Sequence, residues 1–261
     1  MPSDYLAAKM KIRVFRQRFA VALAVLTSGA IIARAQVPGA GGPAGMSAAL
    51  TQLFGKTTAF TAKGEMQVTD KAQKEVANWP MDFALLDRKL RVEIDLTQTK
   101  DMPAPAAAML KKIGMARVSS IIRPDKKLVY VMYPDQQVML TMPLPKEDYE
   151  GSDKAPKVSK SALGKETIDG HPCIKNKVLI TDAAGQTVEA VTWDATDLKD
   201  LPIQIQTQEN GNVSLVRFKE IQFERPALSL FEPPSGFTQY NNADDLKQGV
   251  MKKMMDSATK K

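Results

Sequence analysis

The chain has 261 residues but one Cys and one His, so it can form no internal disulfide and lacks the four nitrogen or sulfur ligands of an ordinary structural zinc site. Its net charge of +7 is concentrated at the front: residues 1–36 hold six basic residues and one acid, which leaves 30 basic against 28 acidic and about +2 beyond them. Nucleic-acid binding is thereby excluded, because such binders keep a clustered basic field and here the signs alternate along the chain.

Residues 1–36 read as a secretory signal peptide. Lys9, Lys11, Arg13, Arg16 and Arg18 precede the uncharged stretch 19–32, and Ala33-Arg34-Ala35 supplies the small-residue pattern that signal peptidase needs. Those 14 uncharged residues fall short of the roughly 20 that span a bilayer core. A start at Met10 gives the more compact opening. No Cys lies near the cut, so the expected product is a periplasmic or cell-envelope protein that is soluble after cleavage rather than lipid-anchored. Residues 37–45 form a flexible Pro/Gly linker; its glycines are no phosphate loop, since no strand precedes them and no Lys-Ser/Thr follows. A single domain is expected over 46–240, followed by a C-terminal helix and basic tail over 241–261.

Met46, Ala49, Leu50 and Leu53 are spaced for a short amphipathic helix. The period then changes to two. Leu90, Val92, Ile94 and Leu96 alternate with Lys89, Arg91, Glu93 and Asp95, the pattern of a half-wet antiparallel strand. About ten strands are predicted, at 60–68, 80–86, 89–97, 117–123, 127–133, 137–142, 174–181, 187–193, 202–208 and 212–222. Asn210-Gly211 supplies both positive-φ positions of a type I′ hairpin, and similar turns elsewhere imply a meander. Ala106, Met109, Leu110 and Ile113 form the apolar stripe of a helix over 103–115 that needs an apolar surface to lie on. Residues 146–165 are polar and mixed in charge, and are expected to be a long exposed loop. From Asn242 a last helix carries Leu246, Val250 and Met254 on one side; Lys252, Lys253, Lys260 and Lys261 form a solvated tail or a peripheral contact with an anionic membrane surface. The fold class is α+β, mainly antiparallel β: one strongly curved, half-barrel-like sheet with short helices covering its concave face.

Several segments carry a family resemblance. The helix ending in Leu53-Phe54, Trp79-Pro80, Lys89-Leu90-Arg91-Val92-Glu93, Ile122-Arg123-Pro124-Asp125 and the run 130–134 resemble the front half of the periplasmic outer-membrane lipoprotein carriers, the LolA/LolB-like superfamily. The segments 164–170 leading to Cys173, Val191-Thr192-Trp193 with Asp197-Leu198, and 230–237 are similar to a bacterial relative of those carriers, the domain family called DUF4412. The resemblance implies a half-barrel with a helical lid over a cavity that holds acyl chains. Carriers couple lid opening to ligand through an inward Arg; Arg91 is nearest in context, but it alternates with Leu90 and Val92 and so points outward.

Enzymatic constellations are thin. His171 is the sole His, no G-x-S-x-G elbow is present, and His171-Pro172-Cys173 offers two metal ligands with none to complete them, so no catalytic residue, metal or cofactor is assigned. Cys173 reads as a small buried hydrophobe, and Trp79 and Trp193 as core or cavity lining. Seven methionines on predicted strands or the central helix suit either a core or an adaptable apolar pocket. The cavity candidates are Ala106, Met109, Leu110, Ile113, Leu90, Val92, Ile94, Met132 and Trp193. Two functions follow: a monomeric, non-enzymatic exported binder of an apolar small molecule, a lipid or an acylated protein, or a cell-envelope interaction module with the same fold, a filled core and no ligand.

Overall fold

A computed structural model describes residues 53–99, 102–144, 157–181, 187–209 and 211–258. The signal peptide, linker, first helix up to residue 52, residues 145–156 and the last lysines lie outside these. Twelve strands form one sheet in the order β12-β6-β5-β4-β3-β2-β1-β11-β10-β9-β8-β7. They are β1 (Ala59–Thr69), β2 (Glu75–Leu86), β3 (Lys89–Asp95), β4 (Arg117–Arg123), β5 (Leu128–Tyr133), β6 (Val138–Pro143), β7 (Lys157–Ile168), β8 (His171–Thr181), β9 (Thr187–Ala195), β10 (Leu201–Glu209), β11 (Asn212–Gln222) and β12 (Thr238–Tyr240). Two meanders, β1–β6 and β7–β11, join where β1 pairs antiparallel with β11. The Asn-Gly hairpin has the expected two-residue loop, since Glu209 pairs with Asn212 and Gly211 has φ 82°.

Two strands exceed the sequence reading. Residues 157–165, expected to be loop, belong to β7, a sheet-edge strand exposed along nearly its whole length. With neither face buried it shows no apolar alternation, and its lysines fit an edge that discourages further pairing. The other edge, β12, has three residues and runs parallel to β6, so the sheet is not purely antiparallel.

The two faces of β1–β6 bury different cores. The inner face presents Phe60 and Ala62, Met81, Phe83 and Leu85, Leu90 and Val92, Ile122, Val129 and Val131, and Val138 and Leu140, all in one cluster that continues to Ile205 and Val216 of the second meander. Only a curved sheet brings residues so far apart across its width into one core. At its middle four rings meet: Phe54, Phe60, Phe83 and Phe218, with centroids 4.9 to 6.0 Å apart. The outer face of β2–β6 carries Ala84, Leu86, Ile121, Tyr130, Met132 and Met139, covered by Phe231 from a 3₁₀ turn (Leu228–Phe231).

Two helices lie wholly within the described residues. Helix α1 (Ala104–Lys112) has Pro at its start and no buried residue. Helix α2 (Ala243–Ala258) starts at Asn242, whose Oδ1 accepts from the Asp245 amide at 2.8 Å, and it seats Leu246 and Val250 fully in the inner core beside β6. Lys253, expected in a solvated tail, donates instead to the Gln136 carbonyl at 3.3 Å.

Candidate functional site

The predicted cavity residues separate by face. Leu90 and Val92 are buried on the inner face and Ile94 is half-buried there, paired with Met81 and Val118. On α1, Ala106, Leu110 and Ile113 are half-buried, with Leu110 and Ile113 packed against the inner core, while Met109 is 60% exposed. The stripe thus narrows to two contact residues, because α1 touches the sheet with the end of one face.

Met132 does not join this set. Its partner is Ser119, which in turn faces Glu93, so it lies on the outer face with Arg91 rather than with Val92. Hydrophobicity alone gave no sign of this, since β5 is apolar on both faces. Trp193 is buried within the inner core cluster, although by register its position on β9 alternates with Thr192 and lies beside Lys175 and Gln204. Its Nε1 donates to Glu166 Oε2 at 2.6 Å and Lys175 Nζ lies 4.8 Å from its ring centroid. Hydrogen bonds from Lys175 and Trp193 hold the Glu166 carboxyl below the usual range.

What α1 leaves partly open is the end of the inner face. Met66, Ile94 and Val118 are half-buried there, beside the cluster of Val68, Ala77 and Trp79. Trp79 Nε1 donates to Thr99 Oγ1 at 2.6 Å, which ties the strand to the segment leading into α1.

Arg91 points outward as its alternation requires: Nη1 donates to the Leu230 carbonyl and Nη2 to Glu93, both at 3.0 Å. Its neighbour Arg123, on β4, went unnoticed in the sequence beyond its place in a motif. It is buried on the same outer face, bidentate to Asp125 at 2.7 and 2.8 Å, with further bonds to the Phe231 carbonyl and Glu232. The two arginines pin the 3₁₀ turn to the sheet. The hydrogen bonds from Arg123 hold the Asp125 carboxyl down at about 2, and those from Lys126 and then Arg123 hold that of Glu232 below its ordinary value.

Two surface clefts stand out among the described residues. One, of about 280 Å³, lies on the outer face between Lys63, Asp82, Arg91, Glu220 and Leu230. The other, of about 400 Å³, lies at the β7–β8 end between Glu166, Thr167, Pro172 and Thr196. Neither lies beneath α1. His171 pairs with Asp197 at 2.8 Å on the exposed surface. Cys173 is 2% exposed, and burial pushes its thiol upward, away from the thiolate. No group of three or more metal-ligating side chains occurs among the described residues, and no described helix is long and apolar enough to cross a membrane.

No protein-family model matches the chain, and no curated protein matches it. Among solved structures it is similar to a DUF1329 family protein from Desulfovibrio piger, at 12% identity over 72% of this chain and 95% of the other, with a TM-score of 0.35. It is also similar to a LolA superfamily protein from Nitrosomonas europaea, at 10% identity over 69% and 93% of the two chains and a TM-score of 0.34. A third is the lipoprotein LppX of Mycobacterium tuberculosis, at 12% identity over 69% and 93% and a TM-score of 0.36.

Proposed function

We propose that this protein is an exported, non-enzymatic carrier that binds an acyl chain or another apolar ligand on the inner face of its sheet, beneath α1. The observation that carries this reading is the contrast between the two helices. Helix α2 locks Leu246 and Val250 into the core, whereas α1 buries nothing completely and rests on the sheet through Leu110 and Ile113.

Full burial of a Leu or Ile contributes about 1.5–3 kcal/mol, so two half-buried side chains hold α1 by only about 2–3 kcal/mol. A lid held that weakly is lifted in about 1% of molecules. Lifting it uncovers Met66, Ile94 and Val118, a face of thioether and branched side chains that moulds to a flexible chain. In this reading Met132 supports the sheet from its other face, while Trp193 is part of the inner core cluster rather than of the mouth.

Delipidated protein titrated with a fluorescent fatty-acid probe is the test. Saturable binding near one probe per chain is expected, reduced at least tenfold by Ile94→Trp, which fills the mouth. Absence of saturable binding, together with no lipid retained in native mass spectrometry, overturns the reading. The four-ring cluster filling the middle of the interior favours a second one, an envelope interaction module acting through its outer surface. That reading expects no probe binding and a cross-linked envelope partner lost on deleting 147–156.

A further inference from the structure

Among the described residues the inner face of β1–β6 carries one buried polar side chain, Ser120, which pairs with Val92 and Val131, whereas the second meander places several there. Cross-strand pairing runs Asn176–Thr192–Ile205–Val216–Met66–Trp79 over six adjacent strands, which puts Asn176 and Thr192 on the face that carries the inner core. Asp194, two residues along β9 from Thr192, lies on that face too. These three are among the few buried polar side chains of the protein: Thr192 is 0%, Asp194 6% and Asn176 8% exposed.

Asp194 Oδ2 accepts from Lys160 Nζ at 2.8 Å and from Asn176 Nδ2 at 2.9 Å. Its other oxygen, Oδ1, is buried without a hydrogen-bond partner, and so is Thr192 Oγ1. Buried oxygens of this kind are costly when left unpaired, and they are retained where something pairs with them. The Lys160 side chain is 33% exposed, so the cluster opens toward the β7 edge.

The geometry points to a polar anchor formed by Thr192 and Asp194, held in place by Asn176 and Lys160, that receives the headgroup of an amphiphilic ligand bearing a neutral hydrogen-bond donor. The inference rests on the acyl-binding reading above and adds the headgroup class to it. Lys160 already balances the Asp194 charge, so Oδ1 accepts from a neutral hydroxyl or amide N–H, while the Thr192 hydroxyl serves as donor or acceptor. A free carboxylate head is disfavoured, since it would meet the unpaired oxygen of Asp194. The distance fits. From Thr192 to Trp79 the row crosses four strand intervals of about 4.8 Å, about 19 Å along the sheet, comparable to an extended long acyl chain. The anchor thus stands at one end of the row and the mouth beside α1 at the other.

Displacement of a bound fluorescent fatty-acid probe by 1-monooleoylglycerol and by methyl oleate, which share an acyl chain and differ in the hydroxyls, separates the two readings. The glycerol ester is expected to bind about tenfold more tightly, the size of one well-made hydrogen bond. Thr192→Val, isosteric and without the hydroxyl, is expected to fold with an undiminished melting temperature and to lose most of the preference for the glycerol ester over methyl oleate. Equal affinity of the wild type for both esters, or an unchanged preference in Thr192→Val, overturns the anchor while leaving the acyl site standing. Failure of both esters to displace any probe overturns the anchor and the acyl site together.

Discussion

Removing the guanidinium of Arg123 tests how the outer face is held. The Arg123→Ala variant loses a group that is 4% exposed and bonded to Asp125, Glu232 and the Phe231 carbonyl at once. A charge-assisted hydrogen bond contributes about 1.5–3 kcal/mol where buried. Only the Phe231 carbonyl bond qualifies in full, because Asp125 and Glu232 are 46% and 39% exposed and solvent screening reduces their share to about 1 kcal/mol together. With the packing of the Arg stem, the loss is about 3 kcal/mol at pH 7, or roughly 6–12 °C in melting temperature for a domain of this size. Both carboxyls have folded pKa values depressed below the unfolded ones, so their contribution is present above about pH 4 and is lost as pH falls toward 2. The stability gap between wild type and variant should therefore narrow by about 1 kcal/mol between pH 6 and pH 2.5. Urea unfolding followed by the fluorescence of Trp79 and Trp193 measures it, with Arg123→Lys restoring less than half because an ammonium cannot reproduce the fork. A loss below about 1 kcal/mol, or a gap that does not change with pH, would refute the assignment of this arginine as the clamp.

Three further outcomes follow from the packing. Leu246→Ala should cost about 3 kcal/mol, since Leu246 is fully buried in the inner core, and denaturant unfolding that shows less than about 1 kcal/mol would place α2 outside the cooperative unit. Gly249→Ala should destabilise despite a helix-propensity gain of about 1 kcal/mol, because a Cβ there would overlap the phenol of Tyr240; a raised melting temperature contradicts this packing. Amides of α1 should exchange with solvent about 30-fold or more faster than those of α2, the ratio that about 2 kcal/mol of extra burial implies, and equal protection by hydrogen-exchange mass spectrometry argues against a loose lid.

Where the sequence alternates, the strands are legible, and β3 is the clearest case: four charges and three apolar residues assign both its faces, Arg91 included. Where a strand is apolar on both faces, alternation says nothing about direction, which is why Met132 grouped by character with residues it does not touch. Strand β7 fails for the opposite reason. Its pattern is exposed from Ser159 through Thr167, so backbone pairing with β8 alone makes it a strand, and pairing leaves no trace in residue character. The Thr192 and Asp194 positions were legible in principle. In β9 the inner-face series runs Ala190, Thr192, Asp194, a polar interruption that alternation exposes once the register with Ile205 fixes which face is which. Arg123 gave a fainter signal, a cation among apolar neighbours in 117–123.

Under the proposed carrier reading, these differences decide where the sheet could hold a ligand. The β6 end of its inner face is closed by α2 and the middle by four aromatic rings, so a ligand has neither place to enter without unfolding the core. The end beside α1 and the face of the second meander remain, one apolar and loosely covered, the other polar with two buried oxygens unpaired. A ligand with one apolar and one hydroxylated end satisfies both along a single cross-strand row, whereas a purely apolar one leaves Thr192 and Asp194 as they are. If the row instead serves only as core, Thr192→Val leaves the ligand preference unchanged; a gain in stability of the unliganded protein is expected in either case, because its buried hydroxyl is unpaired there in both.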